Sequence, residues 1–189
     1  MDSDVKILKL LIGNKQEVFT IKKIAERLKI NYRTAYESVG DLENKGLIKI
    51  TVAGNSKICE FTSNFNSKVY EAELDRRQDL FKKNKNFLVL HNRLAELNFV
   101  FVALVFGSYA KGTENKNSDI DILTIGGDGK EIKATLSLLP DKIHLTAITC
   151  EDFINMAKSK EFTVVSEAIK NNIILIGKEE YYRLLSNAR

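Results

Sequence analysis

The 189-residue sequence predicts an α+β protein in two parts: a helix-turn-helix closed by a β-hairpin, then a mixed sheet flanked by helices. Three observations carry that prediction. Residues 21–28 and 32–45 repeat apolar side chains at helical spacing around a tight turn at Ile30-Asn31. Two short runs rich in β-branched and aromatic residues, 47–51 and 58–62, flank Gly54-Asn55. Beyond residue 98, short apolar runs alternate with amphipathic helical stretches.

The N-terminal elements follow in order. Val5 to Ile12 places apolar residues on a broad face, with Ser3 or Asp4 able to cap it and Gly13-Asn14 to stop it, so it reads as a short helix. Val18-Phe19-Thr20 reads as extended. Ile21 to Leu28 is the next helix, and after the turn a third begins at Tyr32. Ala35, Val39 and Leu42 form the apolar stripe of that third helix, which leaves Arg33, Thr34, Tyr36 and Glu37 off the core. Gly46 supplies the stop. Leu47 to Thr51 is then a strand, residues 52–57 a turn, and Ile58 to Thr62 the returning strand.

Ser67 to Leu97 lacks Gly and Pro and reads as helix, interrupted near Asn84-Lys85-Asn86, which suggests a connecting helix, a hinge and the first helix of a second domain. Phe99 to Phe106 is eight apolar residues, a buried strand closed by Gly107. Asp119 to Ile125 is a second strand, and Gly126-Gly127-Asp128-Gly129 a turn. Glu131 to Leu139 is a helix ended by Pro140, the only proline. Lys142 to Ile148 is a third strand. Thr149-Cys150-Glu151-Asp152 has the form of a capping box opening a helix to about Lys158. Phe162 to Lys170 is a helix, Ile173 to Ile176 a strand, and a last helix follows Gly177. The division is therefore 1–65, a connector at 66–86, and 87–189.

The chemistry concentrates between residues 107 and 146. Gly107-Ser108 directly after a buried strand, with Tyr109, Ala110 and Lys111 able to open a helix, makes an anion cradle: outward N–H groups, a favourable dipole and a hydroxyl. In Asp119-Ile120-Asp121-Ile122-Leu123 strict alternation puts both carboxylates on one strand face, about 7 Å apart. Paired carboxylates beside a phosphate cradle suit hard divalent cations such as Mg²⁺. In Ile143-His144-Leu145, alternation turns His144 and Thr146 to the polar face. A histidine there reads either as a proton acceptor or as a half-buried strand residue bonded to backbone.

A lone G-S or D-x-D is common; the combination is specific. G-S-x-A-x-G, a polar spacer and S-D-x-D-x-L resemble the signature of the DNA polymerase β-like nucleotidyltransferases, especially the minimal members, with Gly107, Ser108, Ala110, Gly112, Ser118, Asp119, Asp121 and Leu123 matching. The resemblance implies a nucleotidyltransferase fold over 87–189. It implies nucleotide binding by Gly107, Ser108, Lys111 and Ser118, two Mg²⁺ ions on Asp119 and Asp121, and a nucleoside triphosphate substrate, with ATP the first choice. It also implies a third carboxylate on a neighbouring strand, where this chain has His144, so His144 is the candidate base.

The N-terminal helix-turn-helix and hairpin, with A-E-R-L-x-I-x-Y-R-T-A-Y and L-E-N-K-G-L-I, resemble the winged-helix family over residues 1–65. That implies double-stranded DNA as a partner, with Tyr32, Arg33, Thr34 and Tyr36 facing the groove and Lys57 on the wing. Winged helices also dimerise or dock proteins, and Glu37, Asp41 and Glu43 make this helix partly acidic, so a homodimer is a further expectation.

Composition sets the bounds. The formal net charge is +4, and residues 1–65 carry 11 Lys+Arg against 8 Asp+Glu where residues 99–189 carry 11 against 12, so the basic excess lies on the N-terminal side. The longest apolar run is the eight-residue strand, which predicts no membrane span, and no signal peptide is expected, since no basic-then-apolar segment opens the sequence. Cys59 and Cys150 are too few for a disulfide scaffold or a zinc site, and a cytoplasmic location follows as the expectation. Two alternatives stand beside the transferase: a nucleotide-binding transcriptional regulator with impaired catalysis, motivated by His144, and an antitoxin-like partner of a small helical toxin, implied by the pairing of similar small transferases with such proteins.

Overall fold

Two side-chain caps set the helix-turn-helix. Thr20 accepts a hydrogen bond from the Lys23 amide (3.2 Å) at the start of helix α2 (Ile21–Leu28), and Asn31 accepts one from the Arg33 amide (2.7 Å) at the start of α3 (Tyr32–Asn44). Between them Lys29 turns left-handed with φ 52° and ends α2. The turn is therefore held from both ends. The computed structural model describes residues 2–115, 117–140, 142–159 and 161–188, and it divides into two compact units, 1–75 and 76–189.

In the first unit α1 (Ser3–Gly13) packs on α2 and α3, and a three-stranded antiparallel sheet of order β1-β3-β2 closes the fold: β1 (Phe19–Thr20), β2 (Ile48–Ala53) and β3 (Ser56–Phe61). Val5, Leu8 and Ile12 of α1 meet Ile24 of α2 and Ala35, Val39 and Leu42 of α3 in a buried core. Each of the valine, leucine and isoleucine side chains contributes about 1.5–3 kcal/mol by leaving water. The hairpin turn is tighter than the predicted 52–57. Val52, Ala53, Ser56 and Lys57 all pair in the ladder, leaving Gly54-Asn55 as a two-residue loop with Gly54 at φ 59°, the place where a II′ turn puts glycine.

Helix α4 (Ser67–Lys83) contributes residues to each unit, and after a break at Asn84-Lys85 the chain enters α5 (Asn86–Ala95). The second unit is built on a mixed sheet of order β6-β5-β4-β7, comprising β4 (Val102–Phe106), β5 (Ile120–Ile125), β6 (Ile143–Ile148) and β7 (Ile173–Ile176). β5 runs antiparallel to β4 and parallel to β6. The predicted strand at 99–106 is shorter than expected, because β5 ends at Ile125 opposite Val102 and the left-handed glycines 126 and 127 carry the chain away, so residues 99–101 have no ladder partner. Val100 is accordingly 80% exposed.

One sheet face, carrying Ala103, Val105, Ile120 and Ile122, packs with Phe87, Leu90 and Leu94 of α5 and with Ile132 and Leu136 of α7 (Gly129–Ser137). Strand alternation therefore turns Asp119 and Asp121 to the opposite face. Asp128 caps α7 by accepting from the Lys130 and Glu131 amides, which starts that helix two residues earlier than predicted. The capping box at Thr149 and Asp152 opens α8 (Cys150–Lys158), and a second at Thr163 and Ser166 opens α9 (Val164–Lys170), two residues later than Phe162. α10 (Lys178–Asn187) ends the chain's elements. Among the described residues no helix is long and apolar enough to cross a membrane.

Candidate functional site

β4 delivers Gly107 to its C-terminal end, beside Asp121 of β5. Gly107 takes φ 66° and opens the five-residue helix α6 (Gly107–Lys111), whose start no side chain caps. Because Phe106 pairs with Asp121 in the β4–β5 ladder, the Asp121 carboxylate lies directly against the bend. A methyl group placed on Gly107 would collide with Asp121 Oδ2 and sit 3.1 Å from Cγ. Glycine suits the backbone angle, and its missing Cβ leaves the space that the Asp121 carboxylate occupies. Tyr109 anchors α6, its ring edge-on to Phe87 at 5.2 Å.

β6 completes the row. The parallel register sets His144 beside Asp121, with Nδ1 3.4 Å from Oδ1, and one step further out Lys142 Nζ lies 2.9 Å from Asp119 Oδ2. Asp121 of β5 thus has His144 of β6 beside it, and Asp119, just before β5, has Lys142, just before β6. The His144 side chain is 71% exposed, not half-buried, and its ring nitrogen meets a carboxylate where the competing reading had a backbone partner. A groove of about 490 Å³ between α7 and the free edge of β6 includes His144 in its wall.

In the first unit Tyr32, Arg33, Thr34 and Tyr36 are all exposed on α3. The Tyr32 and Tyr36 rings are 6.3 Å apart, and Lys57 of β3 reaches across from the hairpin, 3.3 Å from the Tyr36 hydroxyl and 4.9 Å from its ring centre. Arg33 Nε is 2.8 Å from Glu37 Oε1. Helix and wing therefore present one surface carrying two aromatic rings and two cations.

Two families match the chain: that described as polymerase beta, nucleotidyltransferase, over residues 89–181, and that described as sugar-specific transcriptional regulator TrmB, over residues 1–72. The chain joins a polymerase β-type nucleotidyltransferase domain to a TrmB-type winged helix. No curated protein and no solved structure matches it significantly.

Within the nucleotidyltransferase domain the expected residues separate into two groups. Gly107, the first residue after β4, lies against Asp121 of β5, and Asp121 stands beside His144 of β6, with Ser108 one residue into α6 and Asp119 two residues before Asp121. Lys111 and Ser118 are otherwise engaged. Lys111 Nζ pairs with Glu167 of α9 at 2.8 Å, and Ser118 Oγ accepts the Asn115 amide at 2.9 Å within the loop after α6. In the same loop Glu114 pairs with Lys83, and that hydrogen bond holds its carboxyl below the ordinary carboxylate range. Lys142 was missed by sequence reasoning. Its signal was present, since it shares the alternating face of His144, but recognising its partner needs the β5–β6 register.

Proposed function

We propose that the nucleotidyltransferase domain transfers a nucleoside monophosphate from a nucleoside triphosphate, ATP first, to an acceptor hydroxyl with release of pyrophosphate. The observation that supports it best is the seat of the Asp121 carboxylate against the positive-φ bend at Gly107, which aims an acid and the uncapped start of α6 at one space. The Ser108 hydroxyl and the α6 amides would hold phosphate oxygens. Paired carboxylates fit a hard divalent ion, so Asp119 and Asp121 are the residues that would hold Mg²⁺. When bound, such an ion supplies charge neutralisation at the phosphate oxygens. Exposed His144 would accept the proton of an acceptor hydroxyl arriving from the β6 edge.

The TrmB-type winged helix would bind duplex DNA through Tyr32, Arg33, Thr34, Tyr36 and Lys57. Exposed cations beside aromatic rings suit phosphates and base edges.

Incubation of the protein with each labelled nucleoside triphosphate and Mg²⁺ tests the transferase reading. Label transfer is expected in the wild type and lost in Asp119→Ala/Asp121→Ala; equal signal in both removes the proposal. A second reading, a nucleotide-responsive regulator without turnover, is favoured by the basic partner that each of the two acids has. It predicts binding of ATP with Mg²⁺ and no pyrophosphate release.

A further inference from the structure

The two edges of the second unit's sheet differ. β7 is only four residues long, its register with β4 shifts between Ala103 and Leu104, and Arg77 donates a hydrogen bond to the Leu175 carbonyl at 2.8 Å. Short length, an irregular ladder and a charged side chain are devices by which sheets discourage further pairing. β6, at the other edge, lacks all three. Its six residues keep unbroken register with β5 from Ile143 to Ile148, include no proline and no Lys, Arg, Asp or Glu, and are all exposed or half-buried, whereas β4 is buried throughout. We infer that β6 is a docking edge, onto which an extended segment of a partner protein with alternating apolar and acidic residues adds as a further strand.

The first support is the direction of the backbone. The Ile120 amide donates to the Lys142 carbonyl and the Gly126 amide to the Ile148 carbonyl, each at 2.9 Å. Alternate residues of a strand turn their N–H and C=O groups to the same side. Lys142, His144, Thr146 and Ile148 therefore face β5, and the amides and carbonyls of Ile143, Leu145 and Ala147 point to the free edge. A row of alternating donors and acceptors on an open edge is the template that strand addition uses.

The second support is the groove of about 490 Å³ that runs between this edge and α7. The side chains of the same three residues line it, together with Leu136 and Leu139. A strand added about 4.8 Å from β6 would set every second side chain over that groove, where apolar side chains fit. Charge decides the others. Lys133 of α7 and His144 of β6 line the groove, and among its described lining residues there is no carboxylate, so acidic side chains on the added strand complement it.

The test uses a synthetic peptide of about eight residues alternating valine and glutamate, long enough to cover a strand of ordinary length, with a valine–lysine peptide as control. Titrated into the full chain by fluorescence anisotropy, the glutamate peptide is expected to bind roughly tenfold tighter than the lysine peptide or better, a preference that shrinks at high salt and in Lys133→Glu. In amide hydrogen exchange it should slow Ile143, Leu145 and Ala147 and leave His144 and Thr146, which face β5, unchanged. Ala147→Pro removes an outward N–H, which an edge strand tolerates, and should weaken the peptide roughly tenfold or more. Methylating either the valine or the glutamate nitrogens of the peptide tests the same pairing without altering the protein, and one of the two sets should abolish binding. No binding, equal affinity for the two peptides, exchange unchanged at the three outward amides, or binding that survives both methylations would overturn the inference. A dimer of the chain that sedimentation shows to dissociate in Ala147→Pro would give the edge to a second copy and overturn it too.

Discussion

Gly107 and Gly112 form a matched pair on which the site's central contact can be tested. Both take positive φ, 66° and 70°, and both flank the five-residue helix α6. Alanine at either position is forced into the left-handed region at a cost of about 1–2 kcal/mol. Their surroundings differ: a Cβ on Gly112 meets nothing within 4 Å, whereas one on Gly107 strikes the Asp121 carboxylate. The colliding atom is the end of a side chain, so it can rotate aside at little further cost in stability, and what is lost is the position of the carboxylate. Gly107→Ala and Gly112→Ala should therefore unfold at similar urea concentrations, within about 1 kcal/mol of each other. In label transfer Gly112→Ala should stay near wild type, while Gly107→Ala falls by about 100-fold, the scale of a misplaced reacting group. Equal activity of the two variants would refute the assignment of Asp121 to the reacting centre.

Three further outcomes follow. His91 is held neutral, from its ordinary 6.5 down to about 4, chiefly by burial and then by Arg77 and Lys178 nearby. A histidine whose folded value is depressed leaves the unfolded chain binding the extra proton, so its contribution to stability is intact above pH 6.5 and is lost as the pH falls towards 4; His91→Gln should flatten the urea midpoint across that window. Arg33→Ala and Lys57→Ala should each weaken duplex DNA binding and reduce the salt slope by about one, and Glu37→Gln, which frees Arg33, should tighten binding; no binding by the wild type at low salt would remove the DNA role. Thr149→Ala removes the hydroxyl of the α8 capping box and should cost about 1 kcal/mol in urea unfolding without changing label transfer.

Local signals carried most of the architecture because the residues that start and stop elements act over three or four positions. The turn at Ile30-Asn31, the capping box at Thr149 and the stops at Gly46 and Gly107 are all legible without tertiary knowledge. The departures occur where a distant partner decides. Val52 and Lys57 read as turn residues by composition, yet they pair with each other and extend the hairpin. Phe99 to Phe101 read as strand by composition, yet β5 has turned away before reaching them. Strand assignment from a single sequence weighs propensity, whereas a ladder exists only where the neighbour's backbone is present.

The same distinction explains the candidate site. Alternation within β5 identified Asp119 and Asp121 as sharing a face, and alternation within β6 identified His144, but neither pattern says which residues of the two strands stand opposite. The parallel register pairs Asp121 with His144, and just ahead of the two strands Lys142 reaches Asp119, a charge balance that neither segment shows alone. Two carboxylates side by side repel each other and call for cations. Here the adjoining segment places a lysine beside Asp119 and a histidine beside Asp121.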